Sequence, residues 1–346
     1  MTHTELERSY VFKTTNIAEI SAFLGTTISS ESTNITDSYL SPDTRIRETN
    51  DQLRPWELTR KTGHKRNGIR TEENHTIGTA VANCLKSDAR LVVSKRRHSV
   101  NTNVKNLLVT LDTIVSPMTL SIIEIESTDG KPPPTLQGLF GVEAEECPFA
   151  AWGLFRQKIG VCGAPSSGKT EAAKHISYLL STKFGANSFY VPEYATSFIQ
   201  KYGITPEALD QFVVWYSQMS AEQHASAYAD MVVSDCPTFL AYIYAIRHNH
   251  LPLSKQLKIH LTKLYERVID DISQYSRIVY LPPQKFVSNN IRFHNNDEIS
   301  AIDKQIVAFL DLHQINYITA DRNRVQDIVS SIMHINDINA GIAANG

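Results

Sequence analysis

Residues 163–170 read GAPSSGKT, and no other stretch narrows the possible fold as much. The short apolar run QKIGVCG (157–163) precedes it, and a helical pattern from Thr170 to Lys183 follows. In a strand–glycine loop–helix unit, successive backbone N–H groups turn inward and join the helix N-terminus in holding phosphate oxygens. Gly163, Ala164, Pro165, Ser166, Ser167, Gly168, Lys169 and Thr170 are therefore the expected phosphate cradle. Lys169 is placed to reach the terminal phosphates, and the Thr170 hydroxyl to serve Mg2+. A chance match on a Gly/Ser turn is the bland alternative.

The chain after this loop continues the same alternation. Strands are expected at 187–193, 231–235, 277–283 and 315–320, with helices at 206–229, 254–273 and 324–334. Alternating strands and helices predict a parallel sheet covered on both faces, with its ligand crevice at the carboxyl ends of the strands. Asp235 ends MVVSD and is expected to face that crevice as a Mg2+ partner, or to serve only as a strand-end cap. Glu193 ends FYVPE and could take a proton from an attacking hydroxyl, orient a substrate or metal-bound water, or simply charge a helix N-terminus. Arg292 lies in a polar stretch where a closing lid is expected; it is a candidate for stabilising transferred phosphoryl charge, or a solvated arginine. Gln218 and Gln223 are candidate substrate contacts, with a surface helix face as the plainer reading.

The chain before the loop is patterned differently. Alternating stretches at 5–12, 36–41, 44–49, 55–62, 68–77, 90–100, 105–114 and 120–127, with small helices near 16–24 and 78–85, predict one antiparallel barrel or curved sheet. Charge is sorted by strand face. Arg45 shares a face with Arg47, Arg70 with Glu72, and Lys95 with Arg97; Lys61 points opposite to Arg60. Glu5 and Glu7 form one acidic pair, Glu124 and Glu126 another. A closed barrel lined with these groups would be a polar tunnel, its cations suited to a polyphosphate and its paired carboxylates to Mg2+ or Mn2+. A solvated sheet face is the plainer alternative. Nucleic acid is not indicated, because aromatic residues are sparse among the basic strands. Three prolines at 132–134 break regular structure, so the expected domains are 1–150 and 151–346.

Net charge of −2 gives no global pull toward a membrane or nucleic acid, and no run of eighteen apolar residues occurs. The first ten residues lack the apolar core of a secretory signal. The four cysteines fit no zinc spacing and are expected to be reduced thiols of a cytoplasmic protein.

GAPSSGKT, VPEYATSFI, Gln218, VVSD and Arg292 together resemble the NadR-type kinase family, which includes nicotinamide riboside kinase domains and the P-loop domain of the TRPL-translocation-defect protein. The resemblance covers about residues 156–335. It implies an α/β P-loop kinase with Lys169, Glu193, Asp235 and Arg292 in the catalytic set. Ser288 to Arg292 depart from the Asp-Gly-x-Arg that riboside kinases tend to carry in the lid. ELERSYVF, TDSYLS, RIRE, LTRKT, RTE, KRR, LD and IEIE occur in the order of the CYTH family, the triphosphate tunnel metalloenzymes, over about residues 3–127. That resemblance implies phosphate binding by Arg45, Arg47, Lys61, Arg70, Lys95 and Arg97, and metal binding by Glu5, Glu7, Glu124 and Glu126. Ser9 replaces a signature Lys and Asn74 a signature Glu, which removes one phosphate contact and one metal ligand.

The resulting expectation is an ATP- (or GTP-) and Mg2+-dependent phosphotransferase acting on a hydroxyl of a nucleoside-like small molecule, with a tunnel that binds a nucleoside triphosphate or polyphosphate. Two alternatives stay open: a nucleotide-gated binding or regulatory protein without acceptor turnover, and a metal-dependent triphosphatase working through the tunnel.

Overall fold

The computed structural model describes residues 2–50, 56–62, 70–148, 151–247, 254–283 and 296–336, leaving aside the side chains of residues 2–5, 70 and 296. The chain divides into two compact units. The first holds residues up to Arg156, Phe184–Ala186 and the chain from Ser330; the second holds Gln157–Lys183 and Asn187–Val329.

The first unit is built on β1 (Thr2–Phe12), β2 (Ile28–Ser41), β3 (Thr44–Thr49), β4 (Trp56–Thr62), β5 (Arg70–Thr76), β6 (Leu91–Val100), β7 (Leu107–Ser116) and β8 (Leu120–Ser127). These strands make an antiparallel sheet in the order β1-β5-β4-β3-β2-β6-β7-β8, as the period-two pattern predicts. β1 also pairs with β8: it runs beside β5 over Thr2–Glu5 and beside β8 over Leu6–Phe12. One face is apolar. Tyr10, Phe12, Val109, Leu111, Ile123 and Ile125 pack with Ile20 and Leu24 of α1 (Ile17–Leu24) and Leu136 of α3 (Leu136–Phe140). The sequence sets both ends of α1: the Asn16 side chain accepts from the Ala18 N–H, and Gly25 closes the helix at φ 62°. A second small helix, α2 (Thr79–Lys86), covers Ile46 and Trp56 through Ala82. The intervening residues of the same strands, polar ones such as Ser9, Thr110 and Glu124 mixed with apolar Val11, Leu108 and Ile122, face the other side.

Two features of this unit lie outside the sequence expectation. β2 begins eight residues before the expected strand, because the Ser/Thr/Asn-rich run 29–34 is held by pairing with β6 rather than by its own propensity. The last described strand, β14 (Ile335–Asn336), runs parallel to β1, with Val11 opposite Ile335.

The second unit has a five-stranded parallel sheet in the order β10-β11-β9-β12-β13. Its strands are β9 (Gln157–Cys162), β10 (Ser188–Val191), β11 (Met231–Asp235), β12 (Arg277–Tyr280) and β13 (Tyr317–Thr319). Around it lie α5 (Lys169–Phe184), α6 (Tyr194–Tyr202), α7 (Gln211–Tyr228), α8 (Leu240–Arg247), α9 (Lys255–Ile272), α10 (Asn296–Leu312) and α11 (Val325–Ile332). A large cluster of Phe239, Leu240, Ile243, Leu264, Val268, Ile306 and Leu310 joins α8, α9 and α10 beneath the sheet. The sequence reading had no helix at α6, α8 or α10. α6 lacks a side-chain cap at its start and has no fully buried residue, so its period is weak; Gly203 ends it at φ 68°. Between β9 and α5, Gly163–Gly168 supply the tight loop.

Candidate functional site

The loop between β9 and α5 has the backbone a phosphate cradle requires. Ser166 and Gly168 sit at φ 72° and 86°, which turns successive N–H groups the same way. A Cβ on Gly163 would lie 2.5 Å from the Leu281 carbonyl oxygen and 2.5 Å from Ser167 Oγ, so glycine alone fits there. Ser167 Oγ is buried, with no hydrogen-bond partner among the described residues.

Lys169 opens α5 and is almost fully buried. Burial alone would push its pKa down, but Glu193, Tyr244 and Asp235 more than offset that and hold it well above the ordinary lysine range. The ammonium therefore stays charged. Asp235, at the carboxyl end of β11, is pushed up by burial, partly offset by Lys169 and Thr170. Its Oδ2 accepts from the Tyr190 hydroxyl at 3.2 Å, while its Oδ1 is buried without a hydrogen-bond partner among the described residues. That orphaned oxygen, next to Thr170 and the cradle, fits a divalent cation. Glu193 lies beyond the end of β10, which closes at Val191, and occupies the cap position of α6 without a side-chain cap bond; its carboxylate accepts from the Thr196 hydroxyl at 2.8 Å. The parallel sheet thus brings Lys169, Thr170, Glu193 and Asp235 to one crevice. Arg292 lies outside the described residues, as does the departure at 288–292.

Gln218 departs from expectation. It is buried in α7, not on its surface; Gln223 is exposed as expected. Gln218 Oε1 accepts from the Tyr194 backbone N–H at 2.9 Å, and its Nε2 donates to Ser234 Oγ at 3.1 Å. Ser234 Oγ in turn donates to Glu222 at 2.5 Å, and Glu222 pairs with Lys158 at 2.5 Å and accepts from the Tyr275 hydroxyl at 2.8 Å. Gln218 therefore fixes the first turn of the helix that Glu193 begins. Gln218→Ala is expected to lower turnover about tenfold, because losing a buried hydrogen bond loosens the helix start that carries Glu193, with little change in nucleotide affinity. Steady-state kinetics beside equilibrium binding checks that split.

The first unit holds a cavity of about 120 Å3 on the polar face of its sheet. Its lining includes Arg45, Arg47, Lys61, Lys95, Arg97, Asp37 and Glu72, together with Glu7, Glu124 and Glu126. The shared-face expectation holds for these strands, and Arg60 and Arg96 are exposed on the opposite side. A solvated sheet face does not describe the arrangement, since Asp37 is 1% and Lys95 8% exposed. The side chains of Glu5 and Arg70 lie outside the described residues; the backbone sets those two residues opposite each other.

Sequence reasoning missed the counter-ions. Arg47 Nε and Nη2 donate to the two oxygens of Asp37 at 2.7 and 2.9 Å. Arg97 grips Asp112 in the same two-bond manner, at 2.7 and 2.6 Å, and also donates to Glu124 at 2.5 Å. Lys95 Nζ donates to Asp112 at 2.5 Å. Burial raises the Asp37 pKa, but Arg47 and Arg45 more than offset it and hold the carboxyl well below the usual range. Arg45 Nε and Thr59 Oγ1, both in the lining, are buried donors without hydrogen-bond partners among the described residues, and both fit an anion. The strand register sets Glu7 directly opposite Glu126 and Ser9 opposite Glu124. Glu124 is engaged by Arg97, and Asn74 spends its amide on Glu72 at 2.8 Å. Among the described residues, no three His, Cys, Asp or Glu side chains converge as a ready metal site.

Glu72 carries a pH signature. Burial raises its pKa, but Lys61 at 2.8 Å and Arg45 lower it further, to about 2. A depressed carboxylate stabilises the fold fully above its unfolded value and stops doing so as pH falls through its folded value. The contribution is therefore present above about pH 4.5 and lost toward pH 2. In Lys61→Met the Glu72 titration is expected to move up toward ordinary carboxylate values, and the acid side of the stability curve of this unit to start falling at higher pH. Denaturant unfolding from pH 6 to pH 2 with carboxyl NMR titration checks both.

Fold and cradle together define the second unit as a P-loop domain. Residues 158–327 match the family model described as an AAA domain. A solved NadR protein in complex with NR is similar over 53% of this chain and 52% of its own, at 17% identity and a TM-score of 0.42. NadR in complex with NAD and AMP-PNP gives 18% identity, coverage of 54% and 51%, and a TM-score of 0.42. The chain thus spans about half the length of the NadR chains it matches. An inorganic triphosphatase is similar over 38% of this chain and 81% of its own, at 18% identity and a TM-score of 0.23. No curated protein matches the chain in sequence. Among the described residues, no helix is long and apolar enough to cross a membrane. Of the four free cysteines, Cys147, Cys162 and Cys236 are buried.

Proposed function

We propose that the chain is a P-loop phosphotransferase of the cytoplasm that moves the γ-phosphoryl group of ATP or GTP to a hydroxyl of a nucleoside-like small molecule. The observation that carries this reading is the buried Lys169 ammonium at the start of α5, directly after the glycine loop, kept charged by Glu193 and Asp235. A cation, a carboxylate at a strand end and a second carboxylate at a helix start are the groups that phosphoryl transfer requires. Residues 163–170 bind the phosphates. Asp235 and Thr170 would hold Mg2+, which would screen the phosphate charge. Glu193 accepts the acceptor's proton as the new oxygen–phosphorus bond forms and the nucleoside diphosphate leaves. Arg292 is proposed as the lid cation. The test is acceptor-stimulated formation of nucleoside diphosphate. Glu193→Gln should lower kcat at least tenfold while nucleotide affinity is kept; unchanged kcat would remove Glu193 from the chemistry.

The domain at 1–150 is proposed to be a barrel whose interior is a tunnel for a triphosphate or polyphosphate, with 151–346 as the kinase domain. The orphaned donors of Arg45 and Thr59 and the five inward cations support anion binding there. Glu7 and Glu126 are the proposed holders of Mg2+ or Mn2+, with Glu5 and Glu124 beside them. Phosphate release dependent on Mn2+ that survives Lys169→Ala and is lost in Glu126→Ala would make this domain a triphosphatase; binding without release would make it a sensor or store.

A further inference from the structure

Tyr190 has no part in the reaction proposed above, yet its hydroxyl meets the carboxylate at the end of β11. On β10 it stands opposite Val233 of β11, and paired residues of neighbouring strands share a face. Val233 and Asp235 are two apart, so Tyr190 and Asp235 lie on one face of the sheet. That face carries α5. Ser188, two residues before Tyr190, shares a hydroxyl bond with Ser177 of α5 at 2.9 Å, and the Lys174 ammonium of the same helix lies 5.6 Å from the centre of the Tyr190 ring. The opposite face carries α7, where Ser234 meets Gln218 and Glu222. Under α5 the half-buried Tyr190 ring reaches toward the carboxyl end of the sheet, and its hydroxyl donates to Asp235 Oδ2 at 3.2 Å.

The two oxygens of Asp235 are therefore unlike. Oδ2 is engaged by Tyr190, while Oδ1 is buried with no hydrogen-bond partner among the described residues. The residue is 1% exposed, so its carboxylate has little room to turn and exchange the two. A carboxylate pinned in this way offers a cation one oxygen. Mg2+ demands a near-ideal octahedron, which a single carboxylate oxygen can serve; Ca2+ takes about six to eight oxygens in looser geometry and readily uses both oxygens of one carboxylate. A hydrogen bond on Oδ2 thus works against the larger ion and leaves the smaller one its ligand.

We infer that Tyr190 is a positioning residue that reserves Oδ1 of Asp235 for the nucleotide's cation and, by occupying Oδ2, selects Mg2+ over Ca2+. The inference rests on the metal role given to Asp235 in the phosphotransferase reading and adds the metal preference to it. Tyr190 acts through Asp235 and touches neither phosphate nor acceptor.

The experiment measures equilibrium binding of a non-hydrolysable ATP analogue to the full chain in Mg2+, in Ca2+ and in excess EDTA, counting only the component that Lys169→Ala removes. The parent chain is expected to bind more tightly in Mg2+ than in Ca2+. Tyr190→Phe keeps the ring and its packing under Lys174 and removes only the hydroxyl. It is expected to weaken binding in Mg2+ about tenfold, the effect of losing a hydrogen bond to a metal-holding carboxylate, and to leave binding in Ca2+ and EDTA unchanged. In an Asp235→Asn background, Tyr190→Phe is expected to add no further loss. Full affinity of Tyr190→Phe in Mg2+ would overturn the inference. So would a loss in Ca2+ equal to that in Mg2+, or an undiminished effect in the Asp235→Asn background. Parent binding that is indifferent to the metal would remove Asp235 as metal holder and the Tyr190 role with it, and absence of Lys169-dependent binding would remove both readings. The expected pattern without any phosphorylated acceptor would remove the phosphotransferase reading alone and leave the Tyr190 role standing.

Discussion

Lys169→Ala is expected to abolish nucleotide-dependent chemistry in the second unit while leaving its fold in place. Lys169 is buried beside two carboxylates, so its ammonium is held charged by Glu193 and Asp235 until phosphates arrive. A triphosphate displaces neither the lysine nor its charge; it adds anionic oxygens that the ammonium can reach. Removing one charged group aimed at transferring phosphate costs on the order of 100-fold or more in turnover. Two opposing effects act on stability. The buried cation disappears, and Glu193 and Asp235 lose the charge that offsets their repulsion. Asp235, whose pKa burial already raises, is then expected to take up a proton at still higher pH. Binding of nucleotide should consequently become more pH-dependent in the variant. Isothermal calorimetry at two pH values, with thermal unfolding as control, separates loss of binding from loss of fold.

Asp37→Ala is the second large effect, and it falls in the first unit. Asp37 is fully buried and takes a two-bond grip from Arg47, with Arg45 at 3.8 Å and Lys95 at 3.7 Å. Deleting it leaves three cations facing one another without their shared counter-ion. Removing one partner of a buried ion pair typically costs about 3–5 kcal/mol, because the remaining charge is stranded. The proposed anion binding in this cavity sets up a compensating result. Tripolyphosphate should raise the melting temperature of Asp37→Ala by more than that of the parent chain, since it replaces the missing charge. A destabilised variant that polyphosphate does not rescue would separate the buried cations from any anion-binding role.

These two residues differ in how readable they were. The cradle is local: its glycines, lysine and threonine are adjacent in the chain, so the motif carries the geometry by itself. Asp235 was readable because a strand end has a fixed meaning in a parallel sheet; Glu193, expected to end its strand, instead follows it at the start of α6. The period of two likewise placed Arg45 with Arg47 and Lys95 with Arg97 on one side, where the cavity has them. Asp37 and Asp112 were harder to find. Each lies opposite its arginine on a neighbouring strand, in the pairs Asp37–Arg47 and Arg97–Asp112, so only the register joins them. Gln218 looked like a surface residue because α7 has polar and apolar residues on all sides; its burial comes from the sheet residue Ser234 and the start of α6. β14 is two residues long and is defined only by the strand it joins.

The central claim is that the cradle turns over nucleotide against a small hydroxyl acceptor. The most direct measurement incubates the full chain with ATP or GTP, Mg2+ and a panel of nucleosides that includes nicotinamide riboside, and reads products by mass. The account predicts one or more acceptors gaining a phosphoryl group in step with nucleoside diphosphate, and no such product from Lys169→Ala. Tight, Lys169-dependent nucleotide binding with no phosphorylated acceptor would contradict it and point instead to a nucleotide-gated binding protein.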